Sequence, residues 1–305
     1  MEQEALIQGI VAGDRRSIAR AITQVENRLP GYEELLQGLP VHTDVPVIGF
    51  TGPPGAGKST LINGLITFLT GKSNHKGQPL QVAVLAVDPT SPFTHGSLLG
   101  DRLRMQDHFN NPQVYIRSLA TRGALGGLSA ATLLVTDILR SAPFDYIFIE
   151  TVGVGQSEVE IISLADTVVV IMVPEAGDEI QTLKSGIMEI GDIFVINKSD
   201  REGADRFASG LIRTLHERPA SDNWTIPVIK TVATRQEGME ELMEALSAHA
   251  THHQPNRKSK SLAERAYRLI ADRRMRDVPI EKLEKELTVA LASPDFNIYR
   301  FINGY

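Results

Sequence analysis

Residues 52–60 read Gly52-Pro53-Pro54-Gly55-Ala56-Gly57-Lys58-Ser59-Thr60, which satisfies the spacing G-x-x-x-x-G-K-[ST]. No other feature constrains the fold as strongly, because such a loop works only between a buried strand and a helix N-terminus. Apolar Val47 to Phe50 precedes it, and Leu61, Ile62, Leu65 and Leu69 follow at helical spacing. The glycines let the backbone turn inward, so that successive N–H groups converge on phosphate oxygens. The helix starting near Lys58 adds the partial positive charge of its N-terminus. Lys58 is then placed to reach β and γ phosphates, and the Ser59 hydroxyl to coordinate Mg²⁺. Chance supplies this string in roughly one chain of this length in a hundred, and the strand–loop–helix context makes an incidental glycine-rich turn the poorer reading.

From about 45 to 250 the chain alternates short apolar runs with longer helical patterns. Strands are predicted at Val47 to Phe50, Val82 to Ala86, Val114 to Arg117, Tyr146 to Ile149, Val168 to Val173, Ile193 to Ile196 and Ile226 to Lys230. Crossover helices are predicted at Ser59 to Leu69, Leu128 to Arg140 and Met239 to Ala248. Several strand runs are apolar throughout, as strands buried on both faces of a parallel sheet are. The expected class is α/β, a doubly wound and mostly parallel sheet.

Extensions flank this domain. Over 1–44, Leu6, Ile10, Ile18, Ala21, Ile22, Val25, Leu35 and Leu36 predict two or three short helices, interrupted at Gly13-Asp14 and Pro30-Gly31. They read as a helical extension packed on the main domain. Over 251–305, the run from His252 to Lys260 contains no core-forming residue and reads as a linker. Leu262, Ala266, Leu269, Ile270, Ile280, Leu283 and Leu287 then predict a helical arm, broken near Val278-Pro279. Its apolar stripe is thin and needs a partner surface.

Charge and cysteine content narrow the function classes. Lys and Arg total 31 against 37 Asp and Glu, a formal charge of −6 that does not favour a dedicated nucleic-acid binder. Arg265, Arg268, Arg273, Arg274 and Arg276 alternate with Glu264, Asp272 and Asp277, the pattern of a salt-bridged exposed helix. Zero cysteines exclude disulfides, thiolate metal sites and a cysteine nucleophile, and suit a reducing compartment. No apolar run approaches the roughly 18 residues of a membrane span. The acidic start, Met1-Glu2-Gln3-Glu4, is unlike a secretory or mitochondrial targeting segment. A cytoplasmic protein without membrane or nucleic-acid partners is expected.

Two further constellations specify the ligand. Asn197-Lys198-Ser199-Asp200 follows an apolar strand, at the end where open α/β sheets bind ligands. A carboxylate at Asp200 can accept from N1–H and the 2-amino group of guanine, a donor pair that adenine lacks. Asn197 is placed to tie this loop to the phosphate loop, and the Lys198 stem to cover the base. Thr231-Val232-Ala233, after the last strand, is placed to touch the base through backbone groups. Glu150-Thr151-Val152-Gly153 puts an acid at a strand tip and a glycine three later, as in switches where the carboxylate supports Mg²⁺ and the glycine N–H senses the γ-phosphate. Val154 cannot orient a water, and Gln156 lies two residues further on, so slow intrinsic hydrolysis is expected. Asp88 and Asp101 are further candidate Mg²⁺-shell carboxylates. A turn aspartate and a helix N-cap are their alternatives.

These residues resemble the MeaB/ArgK family of phosphate-loop GTPases, which are associated with methylmalonyl-CoA mutase and similar adenosylcobalamin-dependent acyl-CoA mutases. The resemblance rests on residues 52–60, V-A-V-L-A-V-D-P (82–89), L-G-D-R-x-R-M (99–105), E-T-V-G-V-G-Q-S-E (150–158) and N-K-S-D (197–200), and spans nearly the whole chain. It implies a homodimeric G-protein chaperone that binds the mutase, gates cofactor loading with GTP, and protects or reactivates the enzyme. It implies Mg²⁺ with GTP or GDP as ligand, and no cobalamin held without the mutase. It also implies that Asp178, Gln181 and Lys184 belong to a switch responding to the mutase. Two departures stand out. Pro92-Phe93 is bulkier than the family's small run after D-P, and Val232 occupies the middle of the more usual T-S-A. The first widens the partner to mutases of isobutyryl- or 2-hydroxyisobutyryl-CoA.

Two rivals share the phosphate loop. A nickel-insertion GTPase needs metal ligands, for which His249, His252 and His253 are the sole histidine cluster, read here as entry to a solvated linker. An ATP-dependent kinase of a small metabolite has no need of Asn197 to Asp200.

Overall fold

The computed structural model describes residues 2–88, 102–120, 130–151, 161–177, 187–216, 224–252, 255–293 and 295–305. The chain opens with three helices, α1 (Glu2–Val11), α2 (Arg15–Glu26) and α3 (Tyr32–Gly38). Asp14 caps α2, accepting from the Ser17 hydroxyl at 2.6 Å and the Ser17 N–H at 2.8 Å. Those bonds hold its carboxyl below the usual range. Leu6, Ile10, Ile18, Ile22, Val25 and Leu35 turn one way and bury in a core shared with the sheet. The N-terminal helices are therefore packed onto the α/β body.

Seven strands follow: β1 (Val47–Thr51), β2 (Val82–Asp88), β3 (Val114–Ala120), β4 (Tyr146–Glu150), β5 (Thr167–Met172), β6 (Ile193–Asn197) and β7 (Val228–Thr231). They form one sheet in the order β3-β2-β4-β1-β5-β6-β7, with every pairing parallel. The described helices of this body are α4 (Lys58–Thr70), α5 (Ala130–Arg140), α6 (Ile187–Ile190), α7 (Ala204–His216) and α8 (Met239–Thr251). Strand β1 is central. The chain builds one side through β2 and the outermost β3, returns with β4 to lie beside β1, and then builds the other side from β5, so the loop after β1 leaves the sheet where the winding reverses.

Alternate strand residues feed two cores, as a period of two requires. Val47, Leu85, Ile147, Ile149, Val168, Val170 and Phe194 face the N-terminal helices, α5 and α7. Ile48, Phe50, Val84, Phe148, Val169, Ile171 and Val195 face α4 and α8. Phe50 and Phe148 meet edge to face, with ring centroids 5.2 Å apart.

Three aspartates close the edge of the sheet where the strands start. Asp145, Asp166 and Asp192 each stand directly before a strand and accept, at 2.8 Å, from the N–H of Gln81, Val47 and Val168 respectively. Each satisfies an amide at the opening of a neighbouring strand.

The chain divides into two compact units, Met1–Ser261 and Leu262–Tyr305, and the division falls within α9 (Pro255–Arg274). The sequence between 250 and 261 reads as a linker, but it is helical from Pro255 onward. Proline suits the first turn of a helix, where its missing N–H leaves no bond unmade. The second unit adds α10 (Ile280–Ala290) and α11 (Ile298–Ile302), and exposes Leu262, Tyr267, Ile270, Ile280, Val289 and Tyr299. Among the described residues, no helix is long and apolar enough to cross a membrane.

Candidate nucleotide site

The phosphate loop turns where backbone crowding permits only glycine. Gly52 has φ +141°, and a Cβ there would lie 2.1 Å from the Ile171 carbonyl oxygen. Gly57 has φ +88°, and its Cβ would lie 2.4 Å from Nδ2 of Asn197. Lys58 opens α4, is buried, and donates through Nζ to the carbonyls of Gly52 at 2.8 Å and Pro53 at 3.2 Å. Its ammonium thus lies along the loop that would surround a phosphate chain, at the positive end of a 13-residue helix. Pro54, Gly55 and Thr60 are exposed, and Ala56 is buried under the loop.

In the first turn of that helix, the buried Ser59 hydroxyl donates to Oε1 of Glu150 at 2.6 Å. The register pairing Phe50 with Glu150 carries this carboxylate to the root of the loop. Thr151 continues the connection, its N–H donating to Phe50 O at 3.1 Å and its hydroxyl to Thr51 Oγ1 at 3.2 Å. A hydroxyl and a carboxylate buried together form an all-oxygen donor pair, the type that suits Mg²⁺, which usually takes one or two protein ligands and keeps several waters. The backbone of Asp88 ends β2, two residues beyond the Ala86–Glu150 pairing, at the same end of the sheet. The Asp88 side chain lies outside the described part of the structure, as do Asp101, Gly153 and Gln156.

The base end is braced by Asn197. Its Nδ2 donates to Ala56 O at 2.9 Å, and its Oδ1 accepts from Thr231 Oγ1 and from Ala233 N, both at 3.2 Å. One side chain therefore ties the phosphate loop to the end of β7. Lys198 donates to Gly55 O at 2.8 Å, and Ser199 N–H to Thr231 O at 3.0 Å. Thr231, Val232 and Ala233 are buried, and the N–H of Val232 donates to Glu237 O at 3.2 Å. The N–H groups of Val232 and Ala233 are thus engaged inside the protein. Asp200 is exposed, and its Oδ2 accepts from Nη2 of Arg235 at 2.7 Å.

Sequence reasoning missed Arg235, because nothing in the run from Thr231 to Arg235 reveals that the turn at Ala233–Arg235 swings a guanidinium onto Asp200. It also missed the Glu175–Arg201 ion pair, which joins the turn after β5 to the residue following Asp200 and holds the Glu175 carboxyl below its usual range.

The expected switch residues Asp178, Gln181 and Lys184 lie outside the described residues, as do Pro92, Phe93 and His253. The reading of His249 as solvated is overturned. His249 is buried in the last turn of α8, with Nδ1 2.7 Å from Thr167 Oγ1 and its ring 4.9 Å from that of Trp224. Helix packing against the start of β5 removes it from solvent. His252 sits on the same indole, with ring centroids 5.4 Å apart.

Residues 18–287 match the profile of the family described as Methylmalonyl Co-A mutase-associated GTPase MeaB. A Pyrococcus horikoshii protein with a provisional GTPase designation is 48% identical over 250 residues, covering 81% of this chain and 77% of that protein. The GTPase ArgK of Escherichia coli is 35% identical over 251 residues, covering 79% and 73%. The mitochondrial methylmalonic aciduria type A homolog of Caenorhabditis elegans is 35% identical over 262 residues, covering 80% and 64%. Among solved structures, a LAO/AO transport system kinase superposes with TM-score 0.69 at 26% identity, covering 97% of this chain and 88% of that one.

Proposed function

Because the chain belongs to the family of methylmalonyl-CoA mutase-associated GTPases called MeaB, we propose that this GTPase is a chaperone of an adenosylcobalamin-dependent acyl-CoA mutase. In this reading GTP binding and hydrolysis gate cofactor loading and protect or reactivate the mutase. The partner is methylmalonyl-CoA mutase or a relative acting on isobutyryl- or 2-hydroxyisobutyryl-CoA. The observation that carries the nucleotide part is the bracing of the phosphate loop by Asn197, which ties the loop before Lys58 to the strand end that precedes Asp200.

Each residue's part follows from its place. The loop from Gly52 to Thr60 surrounds the phosphates, Lys58 neutralises charge between β and γ, and Asp200 accepts from the guanine edge while Lys198 covers it. Ser59, Glu150, Asp88 and Asp101 would hold Mg²⁺. The metal supplies charge neutralisation at the phosphoryl oxygens. Gly153 senses the γ-phosphate, and Gln156 is the candidate for orienting water. With Val154 beside the sensing glycine, intrinsic hydrolysis is slow and the mutase, acting through Asp178, Gln181 and Lys184, sets its pace.

The exposed apolar side chains of the C-terminal unit (residues 262–305) support a homodimerisation arm, and the chain works in the cytoplasm. The domain plan is a helical extension over 1–44, a GTPase domain over 45–250 and the arm within 251–305. Cobalamin is contacted only within the mutase complex.

Co-purification with candidate mutases in GDP and in a non-hydrolysable GTP analogue tests this. A complex whose stability depends on the nucleotide supports the proposal, and no complex with any such mutase in either state contradicts it.

The description of the solved relative as a kinase favours a second reading, an ATP-dependent kinase. Competition between GTP and ATP separates the two, since a kinase of this type would prefer ATP. Among the described residues, no observation favours nickel insertion.

A further inference from the structure

We propose that Arg235 is a positioning residue that sets purine specificity by orienting the Asp200 carboxylate. This rests on the guanine reading of Asp200 and adds a second residue to it. Arg235 stands on a stiff turn. Val232 and Glu237 form an antiparallel bridge across it, with N–H···O distances of 3.2 and 3.4 Å, and Arg235 N–H donates back to Val232 O at 2.9 Å. At the turn's exit Gly238 has φ +80°, where a Cβ would lie 2.3 Å from Lys230 O, so the backbone has little room to adjust.

The guanidinium is held at both sides of its fork. Nη2 donates to Asp200 Oδ2 at 2.7 Å, and Nη1 lies 3.6 Å from Glu237 Oε1. Asp200 in turn sits on a loop fixed by the Ser199–Thr231 bond and by Asn197. The pair thus joins two braced loops and is unlike a contact between free surface side chains. Val232 is buried and apolar, so the middle of the T-V-A segment offers Asp200 no side-chain donor. Arg235 supplies one from three residues further along.

An ionised carboxylate offers about four lone-pair sites on two oxygens. Arg235 occupies one on Oδ2, leaving Oδ1 and the other side of Oδ2 for two donors from a base. Held on the braced turn, the guanidinium also restricts how far the carboxylate can rotate. A base presenting two parallel donors gains from that orientation, whereas one presenting a single donor gains less.

The test is calorimetry with Mg·GDP, Mg·IDP and Mg·ADP on the full chain and on Arg235→Ala, Arg235→Lys, Asp200→Asn and the Asp200→Asn/Arg235→Ala double variant. Both side chains are about half exposed, so the expected loss of GDP affinity in Arg235→Ala is modest, about fivefold. IDP, which lacks the 2-amino group, should lose less, and ADP should be unchanged. Arg235→Lys should fall between Ala and wild type, and Arg235→Ala should have no further effect once Asp200 is Asn. Unchanged or tighter GDP binding in Arg235→Ala overturns the inference, as does an equal loss for GDP and ADP. Asp200→Asn separates the two layers. If it leaves GDP preference intact, the guanine reading fails. If it abolishes that preference while Arg235→Ala does nothing, only the role of Arg235 fails.

Discussion

The Ser59 hydroxyl donates to Glu150 Oε1 at 2.6 Å across a sequence separation of 91 residues. The bond joins the first turn of the phosphate-loop helix to the tip of β4, and both partners are buried. Nucleotide switches commonly carry the shorter aspartate at the strand tip. Here the longer glutamate reaches the Ser59 hydroxyl directly, which places the two candidate magnesium ligands together.

Substituting either partner should uncouple catalysis from magnesium. Glu150→Gln keeps the shape and removes the charge, and Ser59→Ala removes the hydroxyl. Single-turnover GTP hydrolysis should fall by about a hundredfold in each, the order expected when several kcal/mol of metal-borne stabilisation is lost. Titrating Mg²⁺ should no longer tighten nucleotide binding. Unchanged hydrolysis in both variants would remove this pair from the metal site.

Asn197→Ala should damage both ends of the site. The substitution strands the Ala56 carbonyl, the Thr231 hydroxyl and the Ala233 amide, all bonded to one buried side chain. Unmade buried hydrogen bonds cost about 1–3 kcal/mol each at most, and partial relaxation brings the expected total to about 3 kcal/mol. Denaturant unfolding measures that loss, and calorimetry should show GDP and ADP weakened together because the phosphate loop itself loosens.

The inner strands could be read in the sequence because a parallel sheet buries both their faces, leaving apolar runs such as Thr167–Met172 that have no polar face to disguise them. The phosphate loop could be read because its glycines, lysine and hydroxyl residue form one contiguous string of fixed spacing. Features made by contacts between distant segments could not. His249 looks like part of a polar tail until α8 packs it against Thr167, 82 residues away. Arg235 looks like a turn residue until two loops meet. The helix from Pro255 was hidden because its first residues carry no apolar stripe to mark a period.

The aspartates at the opening edge of the sheet make a prediction the sequence alone did not. Asp192→Ala removes the acceptor of the Val168 amide, and with it a carboxylate whose Oδ1 lies 3.6 Å from His249 Nε2. Stability should drop by about 1–3 kcal/mol. Hydrogen exchange at the Val168 amide should accelerate more than exchange at the centre of β5. Uniform acceleration along β5 would count against a local tie.

Acid should loosen the loops around the candidate guanine site before it unfolds the core. Arg201 holds the Glu175 carboxyl below its usual range through a hydrogen bond, and Lys230 does the same for Asp205. A carboxylate lowered in the folded state contributes stability above its ordinary value and loses it as pH falls through the folded value. The advantage of wild type over a Glu175→Gln/Asp205→Asn variant in melting temperature should thus hold at neutral pH. It should shrink as pH drops below the ordinary carboxylate range. Because both groups are exposed, high salt should also reduce it. A difference that grows toward acid would contradict the assignment.

The most direct test of the account is calorimetric titration of the full chain with Mg·GDP and Mg·ADP, repeated on Asp200→Asn. The account predicts that GDP binds far more tightly than ADP and that the preference collapses in the variant. Equal affinity for the two nucleotides in the wild-type chain, or a preference that survives the substitution, would contradict it.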